Sequence, residues 1–142
     1  MDFKSKIALV TGAANGIGRA TALGFANYGA KVVVVDRDGA GASAVAGVIK
    51  QKDGEAISVQ ADVTKSADVA AYVKAAIEAY GRIDCFHNNA GVEGSVKPIH
   101  EYDEAVYDQL MNVNVKGVFL GLKHVIPEMI KQRSGTIVNT AS

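Results

Sequence analysis

Four consecutive valines, Val32, Val33, Val34 and Val35, stand between Lys31 and Asp36 and constrain this chain more than any other feature. β-Branched side chains favour extended backbone, and successive side chains of a strand point to opposite faces. An unbroken valine run therefore needs cover on both faces, as a parallel sheet between two helical layers provides. The rest of the sequence supplies such layers. Residues 6–11, 31–36, 55–60, 83–87 and 135–140 read as strands. Residues 17–28, 42–52 and 62–80 read as helices, and 101–132 as a long helical stretch in one or two pieces. In the first helix, Ile17, Ala20, Thr21, Gly24, Phe25 and Tyr28 share one face at helical spacing. Gly29 and Gly81 close helices, and Thr64 or Ser66 is placed to cap the third one. Pro127 should kink the last helix or mark an irregularity.

Regular strand–helix alternation implies an α/β fold: a Rossmann-like doubly wound parallel sheet with helices on both faces. Right-handed crossovers then bring every strand's carboxyl end to one edge, where ligands of such sheets bind. The unusual residues fall at that edge. Gly12, Asn15, Gly16, Ile17 and Gly18 follow strand one, and Asp36 and Arg37 end strand two. Asp62 and Val63 follow strand three, Asn89, Ala90 and Gly91 follow strand four, and Ser142 follows strand five.

Composition narrows the partners. The 142 residues include 15 basic and 15 acidic side chains, so no net charge draws the chain to nucleic acid or an anionic membrane. With 49% hydrophobic residues and 21% charged ones, the chain is an ordinary globular sequence, without a membrane-length apolar span. One cysteine forms no internal disulfide and three scattered histidines make no metal cluster, so no metal site is expected and a cytoplasmic setting fits.

The turn Thr11-Gly12-Ala13-Ala14-Asn15-Gly16-Ile17-Gly18 has the pattern that lets backbone approach a phosphate. Gly12 allows a tight turn, Gly16 a close approach, and Gly18 close packing of the helix on the strand. The free amides and dipole of the helix start then favour an anion. The bland alternative is a tight turn with no ligand. Asp36 tips the reading toward a dinucleotide, because its carboxylate can accept from both ribose hydroxyls and would repel a 2′-phosphate. NAD is therefore preferred. Arg37 beside it can stack on adenine or tolerate a 2′-phosphate, which leaves NADP open.

Thr-Gly-x-x-x-Gly-Ile-Gly, Asp36, Asp62-Val63, Asn88-Asn89-Ala90-Gly91 and Asn114-Val115-Lys116-Gly117 occur in one order. Together they resemble the single-domain short-chain dehydrogenase/reductase family, over residues 6–142. The resemblance implies that Asp62 and Val63 contact adenine, and that Asn89, Ala90 and Gly91 line the cofactor. It implies that Asn114 holds a water in a proton relay and that Ser142 hydrogen-bonds the substrate oxygen. It also implies hydride transfer between a nicotinamide cofactor and a small-molecule secondary alcohol or ketone, in a homodimer or homotetramer. His87 and Cys85 share a strand face and read as supporting residues.

One part of the pattern is missing. The family's Tyr-x-x-x-Lys motif has no match: the tyrosines at 28, 72, 80, 102 and 107 are followed four residues later by Val32, Ala76, Asp84, Val106 and Met111. Residues 1–142 are thus expected to be the first part of a longer dinucleotide-binding domain, incomplete at the C-terminus and unable to turn over alone. Two other classes compete. Methyltransferases also use a Gly-rich turn and an acid after strand two, though with different glycine spacing. A non-catalytic dinucleotide sensor would lack the Tyr-x-x-x-Lys motif altogether.

Overall fold

A computed structural model describes residues 2–141. Five parallel strands form one sheet in the order β3-β2-β1-β4-β5: β1 Ile7–Thr11, β2 Lys31–Asp36, β3 Ala56–Gln60, β4 Cys85–Asn88 and β5 Thr136–Asn139. The helices between them are α1 Gly16–Asn27, α2 Gly39–Lys50, α3 Ser66–Tyr80, α4 Glu104–Met111 and α5 Gly117–Gln132. A 3₁₀ turn, Ile99–Glu101, precedes α4, and a five-residue π turn, Asn112–Lys116, joins α4 to α5. None of these helices is long and apolar enough to cross a membrane.

The valine run behaves as its composition demands. Val33 and Val35 pack with Leu9, Tyr72, Phe86 and Val125 under α3 and α5. Val32 and Val34 pack with Val10, Ala22, Val45 and Ile49 under α1 and α2. All four are fully buried, and each such valine is worth ~1.5–3 kcal/mol relative to exposure.

The buried stripe of α1 differs from the expected one. Gly18 and Ala22 are its buried residues, whereas Ile17 is 68% exposed and Tyr28 52%. Small side chains won the inner face because α1 lies too close to the sheet for anything larger. A Cβ on Gly18 would collide with the Gly12 carbonyl oxygen and stand 2.7 Å from Asn89 Nδ2. Helix starts also shift where side chains choose otherwise. Helix α2 begins earlier than its apolar pattern, because Asp38 Oδ1 accepts from Gly41 N at 3.0 Å and caps it. Neither Thr64 nor Ser66 caps α3. The Thr64 hydroxyl donates to Asp62 Oδ1 instead (2.7 Å), and Ser66 Oγ hydrogen-bonds His124 Nε2 (2.9 Å).

The long helical stretch is broken at Asn112–Lys116, and α5 runs on through Pro127. The glycines of α5 serve intramolecular contacts. A Cβ on Gly117 would meet Val63 Cγ2 at 2.9 Å, and one on Gly121 would meet Asn88 Oδ1 at 2.8 Å. Close approach of α5 thereby fixes Val63 and the end of β4 at the carboxyl rim.

Candidate active site at the carboxyl rim

A cleft of about 750 Å³ opens along that rim. Gly12, Asn15, Gly16, Ile17, Gly18, Asp36, Arg37, Asp62, Val63, Asn89, Ala90, Gly91 and Asn114 all line it. Ser142 lies outside the described residues.

The turn after β1 is held open by its glycines. Gly12 has φ +64° and Gly16 φ +51°, values that favour glycine. At Gly12 a Cβ would stand 2.8 Å from Ala90 Cα, so this turn and the segment after β4 touch backbone to backbone. The Asn15 side chain, though chemically able to cap α1, makes no capping bond, and the first turn of α1 holds no acidic residue. By contrast, α2 and α4 are capped by Asp38 and Asp103. The first amides of α1 thus reach the cleft without a side-chain acceptor, as an anion site requires.

Thr11 is fully buried, and its Oγ1 accepts from both Asn89 N (3.0 Å) and Ala90 N (3.1 Å). Asn89 returns the contact through Nδ2, which donates to Thr11 O at 3.0 Å. Thr140 Oγ1 donates to Asn89 Oδ1 at 3.2 Å and lies 3.1 Å from His87 Nε2. With the Thr140 proton directed to Asn89, His87 Nε2 is the donor of that pair. His87 Nδ1 is then a buried acceptor without a partner among the described residues. Burial holds this imidazole below its usual pKa. Cys85, half-buried on the same strand face, has its thiol pushed up by burial and by the nearby Asp84 charge.

Asp36 Oδ2 accepts from Ala14 N (2.9 Å) and its Oδ1 from Asp38 N (3.0 Å). Asp62 accepts from the hydroxyl and the amide of Thr64, which together hold its carboxyl below the usual range. Asn114 sits in the π turn, where its amide is paired in both directions with Val92: Oδ1 accepts from Val92 N and Nδ2 donates to Val92 O, each at 2.9 Å. One amide proton and one lone pair of Asn114 remain for another partner. Asn112, which starts the same π turn, is not part of the cleft lining.

The motif begins with Thr11 but assigns its hydroxyl no role, and it includes neither Thr140 nor Val92, although all three shape the cleft. The signal for Thr11 was available: a hydroxyl at the end of a buried apolar strand must find partners. Nothing in the spacing pairs Thr140 with Asn89 across two strands.

The family model described as short chain dehydrogenase matches residues 6–142. This chain belongs to the short chain dehydrogenase family. That membership displaces the methyltransferase alternative. Among curated members, levodione reductase from Leifsonia aquatica is 44% identical over 142 residues, covering 99% of this chain and 53% of the relative. The mitochondrial borneol dehydrogenase of Lavandula x intermedia is 41% identical, covering 98% and 52%. A crystal structure of NAD+-bound xylitol dehydrogenase superposes with TM-score 0.96 at 37% identity, covering all of this chain and 55% of that one. This short chain dehydrogenase sequence thus spans about half the length of the relatives it matches.

Proposed function

We propose that this chain forms the dinucleotide-binding half of an NAD-dependent oxidoreductase acting on a secondary alcohol or its ketone. The observation that carries the reading is one cleft that combines the uncapped start of α1 with a carboxylate at the end of β2. NAD, when bound, supplies the hydride chemistry, while the protein supplies position and proton handling. The α1 amides and the Gly12–Gly16 turn hold the diphosphate. Asp36 accepts from the adenosine ribose hydroxyls and disfavours a 2′-phosphate, and Arg37 flanks the adenine. Asp62 and Val63 border the adenine pocket. Asn89, Ala90 and Gly91 line the nicotinamide half with backbone. Asn114 braces Val92 at the rim and offers its remaining amide groups to a water on the proton path, and Ser142 orients the substrate oxygen.

The general acid/base is not among these residues. Tyr72 is fully buried, its hydroxyl has no partner among the described residues, and burial raises its pKa. Such a phenol is unsuited to proton transfer at neutral pH. Turnover is therefore proposed for the complete protein, in a cytoplasmic setting, and dinucleotide binding for this chain.

Assembly as a homodimer or homotetramer belongs to the same reading. It is supported by an apolar face on α4 and α5 that includes Phe119 (58% exposed) and Ile130 (69%). Titration of the chain with NADH, followed by nicotinamide fluorescence, tests the core of the proposal. Saturable binding that NAD competes and S-adenosylmethionine does not is the expected result. Absence of binding would overturn it.

A further inference from the structure

The Gly-rich turn is docked on the end of β2 as well as on its own helix. Ala13 N donates to Val35 O at 3.1 Å, and Ala13 is fully buried. Ala14 N donates to Asp36 Oδ2 at 2.9 Å. The methyl of Ala14 rests on the first turn of α2, where a Cβ on Gly41 would come within 2.8 Å of Ala14 Cβ. Asp38, which caps that turn through Gly41 N, has its own amide held by the other oxygen of Asp36. One carboxylate therefore bridges the turn after β1 and the start of α2. Its two bonds are made by the protein alone, before any ribose arrives.

We propose that Asp36 is a positioning residue for the diphosphate turn in addition to being a ribose acceptor. This rests on the dinucleotide reading above and deepens it. A carboxylate that only recognised ribose would have both oxygens free toward the cleft. Here Oδ2 spends one lone pair on Ala14 N, which sets the turn through Gly16. Each oxygen keeps lone-pair capacity with which it would accept from a ribose hydroxyl in the cleft that Asp36 lines. Removal of Asp36 should then weaken two separate parts of the ligand, and replacing it alone should not convert the site to NADP. A chain without this carboxylate has lost its hold on the diphosphate as well as its repulsion of a 2′-phosphate.

The test compares NAD with its 2′,3′-dideoxyadenosine analogue, which keeps the diphosphate and lacks the ribose hydroxyls. Calorimetric titrations would use the wild-type chain, Asp36→Ala and Asp36→Asn, each checked for an unchanged fold by circular dichroism. Asp36→Ala should weaken the analogue about tenfold, the size of one lost charge-assisted hydrogen bond, and weaken NAD further. Asp36→Asn should restore most of the analogue's affinity, because an amide oxygen can still accept from Ala14 N. Amide hydrogen exchange gives a readout without ligand: Ala14 N–H should exchange faster in Asp36→Ala and remain protected in Asp36→Asn. If Asp36→Ala weakens NAD but leaves the analogue and Ala14 exchange unchanged, Asp36 is a ribose acceptor only and the positioning role is overturned. If the wild-type chain binds neither ligand while Ala14 exchange still responds, the dinucleotide reading fails and the turn-setting contact stands.

Discussion

Replacing Thr11 by Val isolates the contact that joins the two halves of the cleft. Valine keeps the shape of threonine and its strand preference, so the change removes little but the hydroxyl. Thr11 Oγ1 is the acceptor for two backbone donors, Asn89 N at 3.0 Å and Ala90 N at 3.1 Å. Without it both amides face a methyl group. An orphaned buried donor costs roughly 1–3 kcal/mol. The Asn89–Ala90 segment is half-buried at the rim and can relax toward water, so the lower part of that range applies to each donor. A total loss of about 2–3 kcal/mol is expected. Urea unfolding followed by far-ultraviolet circular dichroism measures it, provided the slope with denaturant is unchanged. Thr11→Ser is the control. It keeps the acceptor, loses one methyl and should fall within ~1 kcal/mol of wild type. If Thr11→Val stays within 0.5 kcal/mol of wild type, or if Ser and Val are equally damaging, the hydroxyl does not hold this segment.

Three further outcomes follow from the same geometry. Gly18→Ala should destabilise by about 1–3 kcal/mol through overpacking, read by thermal melting, because the new Cβ is directed at the Gly12 carbonyl and Asn89 Nδ2. Asn114→Ala should release Val92 from both of its bonds, seen as faster exchange of the Val92 amide with little change at Phe86 in the sheet. For His87, burial lowers the folded pKa below the ordinary 6.5. The folded state then binds fewer protons than the unfolded one, and stability should fall as pH drops below 6.5 toward the folded value. His87→Gln should flatten that part of the pH–stability curve, and an equally steep curve in the variant would assign the dependence to another group.

The fold was legible because it rests on periodicities a sequence displays directly. The valine run states that both faces are covered, and the structure divides it as expected, Val33 and Val35 to one layer and Val32 and Val34 to the other. The face of α1 was legible only in part: Phe25 packs against the core as its spacing predicts, but Ile17 and Tyr28 are exposed, and close approach of the helix decides in favour of Gly18 and Ala22 as its buried residues. A stretch in two pieces was among the expectations, but the π geometry of the break at Asn112–Lys116 was hidden, since Asn-Val-Asn-Val-Lys fits an ordinary helix. What sets the turn apart in space is Asn114, whose amide pairs with the backbone of a loop residue far away in the chain.

The site shows a different division. Glycines, the acid after β2 and the asparagines after β4 were readable because each answers a local demand of backbone or charge. Their mutual dependence was not readable, since it is carried by long-range hydrogen bonds. Thr11 ties β1 to the segment after β4, Thr140 ties the end of β5 to Asn89, and Asp36 ties β2 to the turn at Ala14. Strand order explains why these particular residues meet. β1 lies between β2 and β4, and β4 lies between β1 and β5. The rim residues of adjacent strands are thus neighbours although they are distant in sequence. A polar side chain at the end of one strand meets the segment that leaves the next, by its backbone amides at Thr11 and Asp36 and by the Asn89 side chain at Thr140, so side chains bind the rim laterally. A substitution at one strand end should then be felt at the adjoining strand end first. Thr11→Val should disturb the amides of Asn89 and Ala90 before it disturbs Asp36, which is held from Ala14 and Asp38.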